Sequence, residues 1–249
     1  MCDIVASTII VTGDKLRKRK KRLKITKIVL LILLFLLISI FLILSIVYKG
    51  GRFTVTLDPN FSLKSGIVIY ETLEDKRSQR KLYASELEFM DNISVEWIPK
   101  NIASEAEGSH NGKNYIAYTF YIENQGTETL DYWYQIVIDD VIKNVDDAVR
   151  IMIYRNDEKT IYAKKNEDLN APEKDTTPFY SKEYAVLENR KDFKPNDIDK
   201  YTIVIWLEGD DPECLDNIIG GEIKMHMEII EEHIDQKVEN EEEKGKEEK

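Results

Sequence analysis

Residues 222–229 read EIKMHMEI. Ile223, Met225, Met227 and Ile229 fall on one side of an extended chain, and Glu222, Lys224, His226 and Glu228 on the other, because successive side chains of a strand point to opposite faces. This period of two predicts a half-buried strand, one face on a core and one in water. Just upstream, residues 201–208 (YTIVIWLE) are apolar on both faces for most of their length. That pattern predicts a central strand covered on both sides. Residues 114–123 (NYIAYTFYIE) and 132–138 (YWYQIVI) carry the aromatic and β-branched side chains that strands favour. Asn124-Gln125-Gly126 makes a turn between them, and RNDEK at 155–159 joins VRIMIY to TIYAK as a hairpin. Residues 53–57 and 66–72 are shorter strand candidates, with long loops expected at 99–113 and 164–182. Helical signal is weak, confined to a turn or two at 82–90 and 141–149. Many strands with spaced turns imply a mainly β domain, a β-sandwich or jelly roll.

Further toward the N-terminus the pattern changes. Residues 28–47 read IVLLILLFLLISIFLILSIV, uncharged throughout, with only Ser39 and Ser45 polar. Twenty residues of helix at ~1.5 Å each span roughly 30 Å, the thickness of a bilayer core. On a biological insertion scale such a run is favourable by about 5–11 kcal/mol at most. An uninterrupted run this long, apolar on every face, argues for a membrane span over the buried helix of a soluble protein. KLRKRKKRLKITK at 15–27 precedes it and places the N-terminus in the cytoplasm by the positive-inside rule. The apolar run exceeds the ~7–15 residues of a cleaved signal, and no Ala occurs between Lys15 and Tyr83 to make a cleavage site. An uncleaved signal-anchor is expected, with Tyr48 and Lys49 at the outer interface. Cleavage after Ser45 or Gly51 is the alternative. The helix holds no Gly, Ala or ionisable residue, so it suits a tether rather than a pore. The expected organisation is a basic cytoplasmic segment at 1–27 and a membrane-spanning helix at 28–48. An extracellular β-sandwich follows at 49–230, with an acidic disordered tail at 231–249.

Charge follows the same division. Residues 1–27 hold nine Lys or Arg against two Asp, which leaves 26 basic and 44 acidic residues beyond them. An acidic body repels a phosphate backbone, which argues against nucleic acid as its partner. The bilayer, through residues 28–48, is the partner the sequence does specify. Of the two cysteines, Cys2 and Cys214, each falls on a different side of the membrane in this topology. They cannot pair within the chain.

The densest group of metal-type ligands lies in WLEGDDPECLD at 206–216. There Glu208, Asp210, Asp211, Glu213 and Asp216 cluster at a strand end. Hard oxygen ligands at this density suit Ca²⁺, although the spacing is not that of an EF-hand, and Gly209 with Asp211-Pro212 also explains the segment as a tight turn. His110, His226 and His233 form no zinc pairing. No nucleophile elbow, P-loop or dinucleotide fingerprint occurs, so a hydrolase lacks visible machinery and no catalytic residue is assigned. Tyr115, Tyr118, Phe120, Tyr121, Tyr132, Trp133 and Tyr134 belong to a core or, on the alternative reading, to a contact surface.

YTIVIWLEGDDPECLDNIIGG at 201–221 with the alternating strand that follows it, together with FYIENQGTETLDYWY at 120–134, resembles the camelysin and TasA-like group of exported matrix proteins of low-GC Gram-positive bacteria. The resemblance implies a jelly-roll sandwich, a place at the cell surface or in a biofilm matrix, and assembly into fibres by strand donation. A retained anchor and an acidic tail depart from that group's pattern. The function expected on these grounds is a non-enzymatic structural or interaction role at the cell surface, by self-association or with a cell-envelope protein. The alternative is a ligand- or Ca²⁺-binding sensory ectodomain.

Overall fold

A computed structural model describes residues 13–48, 52–166 and 170–231 of the chain. The chain divides into two units, Met1–Gly50 and Gly51–Lys249. The outer-interface residue Lys49, the cleavage alternative at Gly51, Cys2, His233 and all but the first residue of the acidic tail lie outside the described residues.

In the first unit the described residues form one helix, α1 (Gly13–Tyr48). It does not begin at the apolar run. It continues back through the basic segment without a break, because Lys, Arg and Leu are all good helix formers. Every described apolar side chain from Leu23 to Ile43 is exposed. The Ser39 hydroxyl donates to the Phe35 carbonyl at 2.9 Å, so its one polar side chain in the described apolar stretch is satisfied within the helix. The result is one helix apolar and long enough to cross a membrane.

The second unit is built from strands. In chain order it contains β1 (Thr54–Leu57), α2 (Pro59–Ser65), β2 (Ile67–Tyr70), β3 (Lys81–Tyr83), α3 (Ile102–Glu105), β4 (Gly108–Ser109), β5 (Tyr115–Asn124) and β6 (Leu130–Ile142). Then come β7 (Val149–Arg155), β8 (Glu158–Ala163), β9 (Thr177–Pro178), β10 (Tyr184–Phe193), β11 (Ile198–Leu207) and β12 (Glu222–Ile230). The strands form two sheets, one in the order β10-β6-β12-β1-β3 and one in the order β2-β5-β11-β7-β8-β9, with β4 beside β5. Pairing is antiparallel except for β1 with β12 and β8 with β9.

Both sheets contribute to one buried cluster. Tyr132, Tyr134, Ile136 and Met227 enter it from the first sheet, and Phe120, Ile153, Tyr201 and Ile203 from the second. Tyr134 meets Tyr201 edge-on with centroids 5.2 Å apart, and Phe120 stacks on Tyr201 at 5.5 Å. Each fully buried Ile or Phe contributes roughly 1.5–3 kcal/mol. The other face of β11 is also covered: Val204 and Trp206 join Ala117 and Met152 beneath Ile93, Ile98 and Ile102. This second cover explains why residues 201–208 are apolar on both faces. In β12, Met225, Met227 and Ile229 are buried and the alternate residues are half-buried or exposed, as the period of two requires. The aromatic residues are mostly core: Tyr118, Phe120 and Tyr132 have no exposure, and Tyr121 and Tyr134 at most 5%.

Local chemistry ends the elements. Asp58 accepts from the Phe61 amide at 2.8 Å and Pro59 occupies the first turn, so α2 starts there. It ends at Gly66, whose φ of 77° suits glycine. A Cβ on Gly66 would also lie 2.8 Å from the Gly126 Cα. In the turn at 124–126, Asn124 Oδ1 accepts from the Gly126 amide and Nδ2 donates to the Phe193 carbonyl, both at 2.9 Å. Asn156, at φ 54°, turns the chain between β7 and β8, and the hairpin is where RNDEK places it.

Several segments differ from expectation. Residues 81–83 form a strand where a helical turn was expected, and β6 runs on to Ile142, which confines the helical turn expected at 141–149 to a 3₁₀ turn at Val145–Asp147. The loop at 99–113 contains α3 and β4, and the loop at 164–182 contains β9. Neither α2 nor β10 was expected either.

Candidate metal centre

The turn after β11 begins with Glu208. Its Oε2 accepts from the Trp206 indole at 3.0 Å and the Val95 amide at 3.2 Å, and its Oε1 accepts from the Asp210 amide at 3.2 Å. These bonds anchor the segment that covers Trp206. Asp211 comes next, its side chain fully buried against Arg150, which is itself 4% exposed. Asp211 Oδ1 accepts from the Glu213 amide at 2.7 Å, which turns the chain and brings the Glu213 carboxylate back over the same spot. Arg150 stands on β7 opposite Trp206. Its Nη2 pairs with Asp211 Oδ2 and its Nη1 donates to the carbonyls of Asp147 and Val149.

A third carboxylate arrives from elsewhere in the chain. Glu173 lies in the loop before β9, in a turn closed by the Thr176 hydroxyl on its carbonyl at 2.9 Å. Its Oε2 is 4.0 Å from Arg150 Nη2, and its Oε1 is buried with no hydrogen-bond partner. One oxygen each of Glu173, Asp211 and Glu213 lies within 4.8 Å of the other two. Glu173 also lines an open cleft of about 620 Å³ beside β8, together with Lys159, Thr160 and Thr177.

Among the described residues the Arg150 guanidinium pairs with Asp211 and lies 4.0 Å from Glu173, so it meets two of the three carboxylates at once. The neighbouring pair Asp146 and Asp147 is engaged by Lys164 at 3.0 and 2.5 Å. Burial works against the Lys164 ammonium, but hydrogen bonds to Asp147 and Asp146 outweigh it and hold the group charged. Lys164 is therefore engaged by that pair. A divalent cation would suit the close carboxylates of Glu173, Asp211 and Glu213, with hard oxygen ligands from three side chains and water completing the shell.

Of the five acidic residues singled out in the sequence, the structure brings together Asp211 and Glu213. Glu208 is committed to Trp206 and Val95, and Asp210 and Asp216 are exposed. Glu173 and Arg150 were not foreseen. Nothing in the spacing of either connects it with residues 206–216; only the fold does.

His110 and His226 stand apart from this group, and Cys214 adjoins it, its amide donating to the Asp211 carbonyl at 3.0 Å. His110 has its ring nitrogens 3.0 and 3.3 Å from the carbonyls of Gly108 and Ile102, a structural placement. Burial pushes the Cys214 thiol up, and Asp211 and Glu208 add to the effect against a hydrogen bond from Asn92. The thiol stays protonated and is a weak nucleophile. His226 lies on the outer face of the first sheet. Its Nε2 is 3.1 Å from Glu228 Oε1 and its Nδ1 is 2.8 Å from Asp139 Oδ2, so both ring nitrogens face acceptors and only the imidazolium satisfies both. Glu228, then Asp139, raise its pKa against burial, and His226 in turn lowers that of Glu228. Their linkage fixes a sign. The His226 contribution is complete below its ordinary 6.5 and is lost as pH rises through its raised folded value, and the Glu228 contribution is lost as pH falls below its ordinary 4.5. We expect denaturant unfolding to show stability declining as pH is raised above 6.5, with the decline absent in His226→Gln. A decline of equal size in that variant would assign it to another group.

No family model and no curated protein matches the chain. Among solved structures, it is similar to two crystal structures of a β-glucosidase from Kluyveromyces marxianus, one in complex with glucose and one Se-Met labelled. Identities are 14% and 12% and TM-scores 0.24 and 0.25. The similarity covers 69% of this chain but only 16% and 17% of theirs. At these scores it carries no argument about fold or activity.

Proposed function

We propose that this chain is a single-pass plasma-membrane protein with its N-terminus in the cytoplasm and a β-sandwich domain outside, and that the domain binds Ca²⁺ as a non-enzymatic ligand-binding or sensory module. The observation that carries the proposal is the convergence of Glu173, Asp211 and Glu213 from two chain segments beside a single arginine. The sandwich reading rests on the cluster to which both sheets contribute. The anchor reading rests on an apolar helix preceded by basic residues. With three carboxylates and an arginine competing for one of them, affinity belongs at the weak end of protein Ca²⁺ sites, a Kd of about 10⁻⁴–10⁻³ M.

Calorimetric titration of the full chain in detergent tests this. One Ca²⁺ should bind per chain in that range, and Glu173→Gln together with Glu213→Gln should remove the heat. Absence of heat at millimolar Ca²⁺ in the unaltered chain would sink the proposal.

A structural role by strand addition is supported less well. The long end strand β10 shows two register shifts against β6, carries Glu188, Arg190, Lys191 and Asp192, and holds Asp192 at φ 55°. Bulges and charges on an edge discourage pairing with another chain.

A further inference from the structure

The eight cations of α1 from Arg17 to Lys27 orient the anchor in the reading given above, and that reading gives their charges no partner. Arg17, Lys18, Arg19, Lys20, Lys21, Arg22, Lys24 and Lys27 are all exposed. The sequence from Lys15 to Lys27 contains no Asp or Glu, and among the described residues none of the eight takes part in an ion pair. The helix is unbroken from Gly13 through the apolar run, so the charges are carried on a stiff extension of it. At ~1.5 Å per residue, Lys27 and Lys24 stand within roughly 6 Å of Ile28 along the axis, inside the Debye length of about 8 Å at physiological salt, and Arg22 and Lys21 within roughly 11 Å. Six consecutive basic residues at ~100° per residue leave no face uncharged. Such a segment has no apolar side on which to lie flat as an interfacial helix does. Its flexible side chains radiate around the axis at headgroup depth.

We propose that residues 17–27 bind anionic phospholipid headgroups, gathering a ring of them around the helix where it leaves the bilayer. The inference rests on the anchor part of the proposed function and is independent of the Ca²⁺ part. Phosphate oxygens are the complementary chemistry, and the position against the apolar run selects a lipid over a soluble phosphate or a nucleic acid. Because the contacts are exposed and electrostatic, they weaken with salt.

The test uses the full chain in phosphatidylcholine vesicles containing a trace of spin-labelled phosphatidylglycerol or phosphatidylcholine. Electron spin resonance reads the fraction of each lipid immobilised at the protein. The expected result is a several-fold preference for phosphatidylglycerol that falls in high salt. It should approach parity when Lys20, Lys21, Arg22, Lys24 and Lys27 are all replaced by Gln, changes that keep helix propensity and touch no core. Equal immobilisation of both lipids by the unaltered chain would overturn the proposal, as would a preference that survives the five replacements. Displacement of the phosphatidylglycerol by a short RNA would overturn it in favour of nucleic acid. Absence of any immobilised lipid would remove the anchor reading as well, which separates the two failures.

Discussion

Replacing Arg150 with Met destabilises the β-domain by about 3–5 kcal/mol, and Ca²⁺ restores part of the loss. Among the described residues Arg150 is the cation paired with the fully buried Asp211 side chain, and it lies 4.0 Å from Glu173. Met fills similar space but leaves Asp211 and Glu173 without the guanidinium they meet. Removing one partner of a buried pair costs far more than the pair contributes, because the other charge is left without solvent or counter-ion. A bound divalent cation would replace the lost charge, so Arg150→Met should depend on Ca²⁺ more than the unaltered chain does. Urea unfolding of the full chain in detergent, followed through the emission of buried Trp206, measures both quantities in Ca²⁺ and in chelator. A variant equally unstable in both would show that the carboxylates do not take the ion. A variant as stable as the unaltered chain would show that the ion pair is not the element holding the turn after β11.

Replacing Asp199 with Ala should cost a similar amount, about 3–5 kcal/mol, with no response to Ca²⁺. Asp199 stands on β11 with its side chain 3% exposed. It accepts from the Tyr132 hydroxyl at 2.8 Å, Arg190 Nε at 2.9 Å and Asn156 Nδ2 at 3.0 Å. Tyr132 and Arg190 belong to one sheet and Asp199 to the other, so the carboxylate ties the sheets together. Burial pushes the Tyr132 and Tyr201 hydroxyls far up, so both stay protonated and Tyr132 remains a donor. Alanine leaves three donors facing a cavity. Tyr132→Phe removes one donor and should cost only about 1 kcal/mol. Comparable losses in the two variants would mean that the hydroxyl, and not the carboxylate, organises the group.

These two sites show why part of the fold was legible in the chain and part was not. β11 and β12 declare themselves because burial on two faces or one selects the side-chain pattern directly, residue by residue. β10 does not. Its run ENRKDF looks like a loop because an end strand has one neighbour, packs only part of its surface and carries charges that protect its edge. α2 is also hard to see, with seven residues too few to express a helical period; its signature is Asp58-Pro59 at one end and Gly66 at the other. The candidate metal centre was half legible. Asp211 and Glu213 stand out in an acidic turn, but so do Glu208, Asp210 and Asp216, and composition cannot separate a residue that anchors an indole from one that faces a cation.

What the amino-acid order settled alone is whatever depends on near neighbours. That covers an apolar run of membrane length with its charge to one side, strands where the period is two, and turns where Asn, Gly and Asp stand. Tertiary structure decided the rest. Glu173 joins Asp211, and Tyr132 joins Asp199, only because antiparallel pairing and the facing of two sheets bring distant segments together. A carboxylate acquires its role from what surrounds it after burial, and that surrounding is a property of the packed chain rather than of any segment within it.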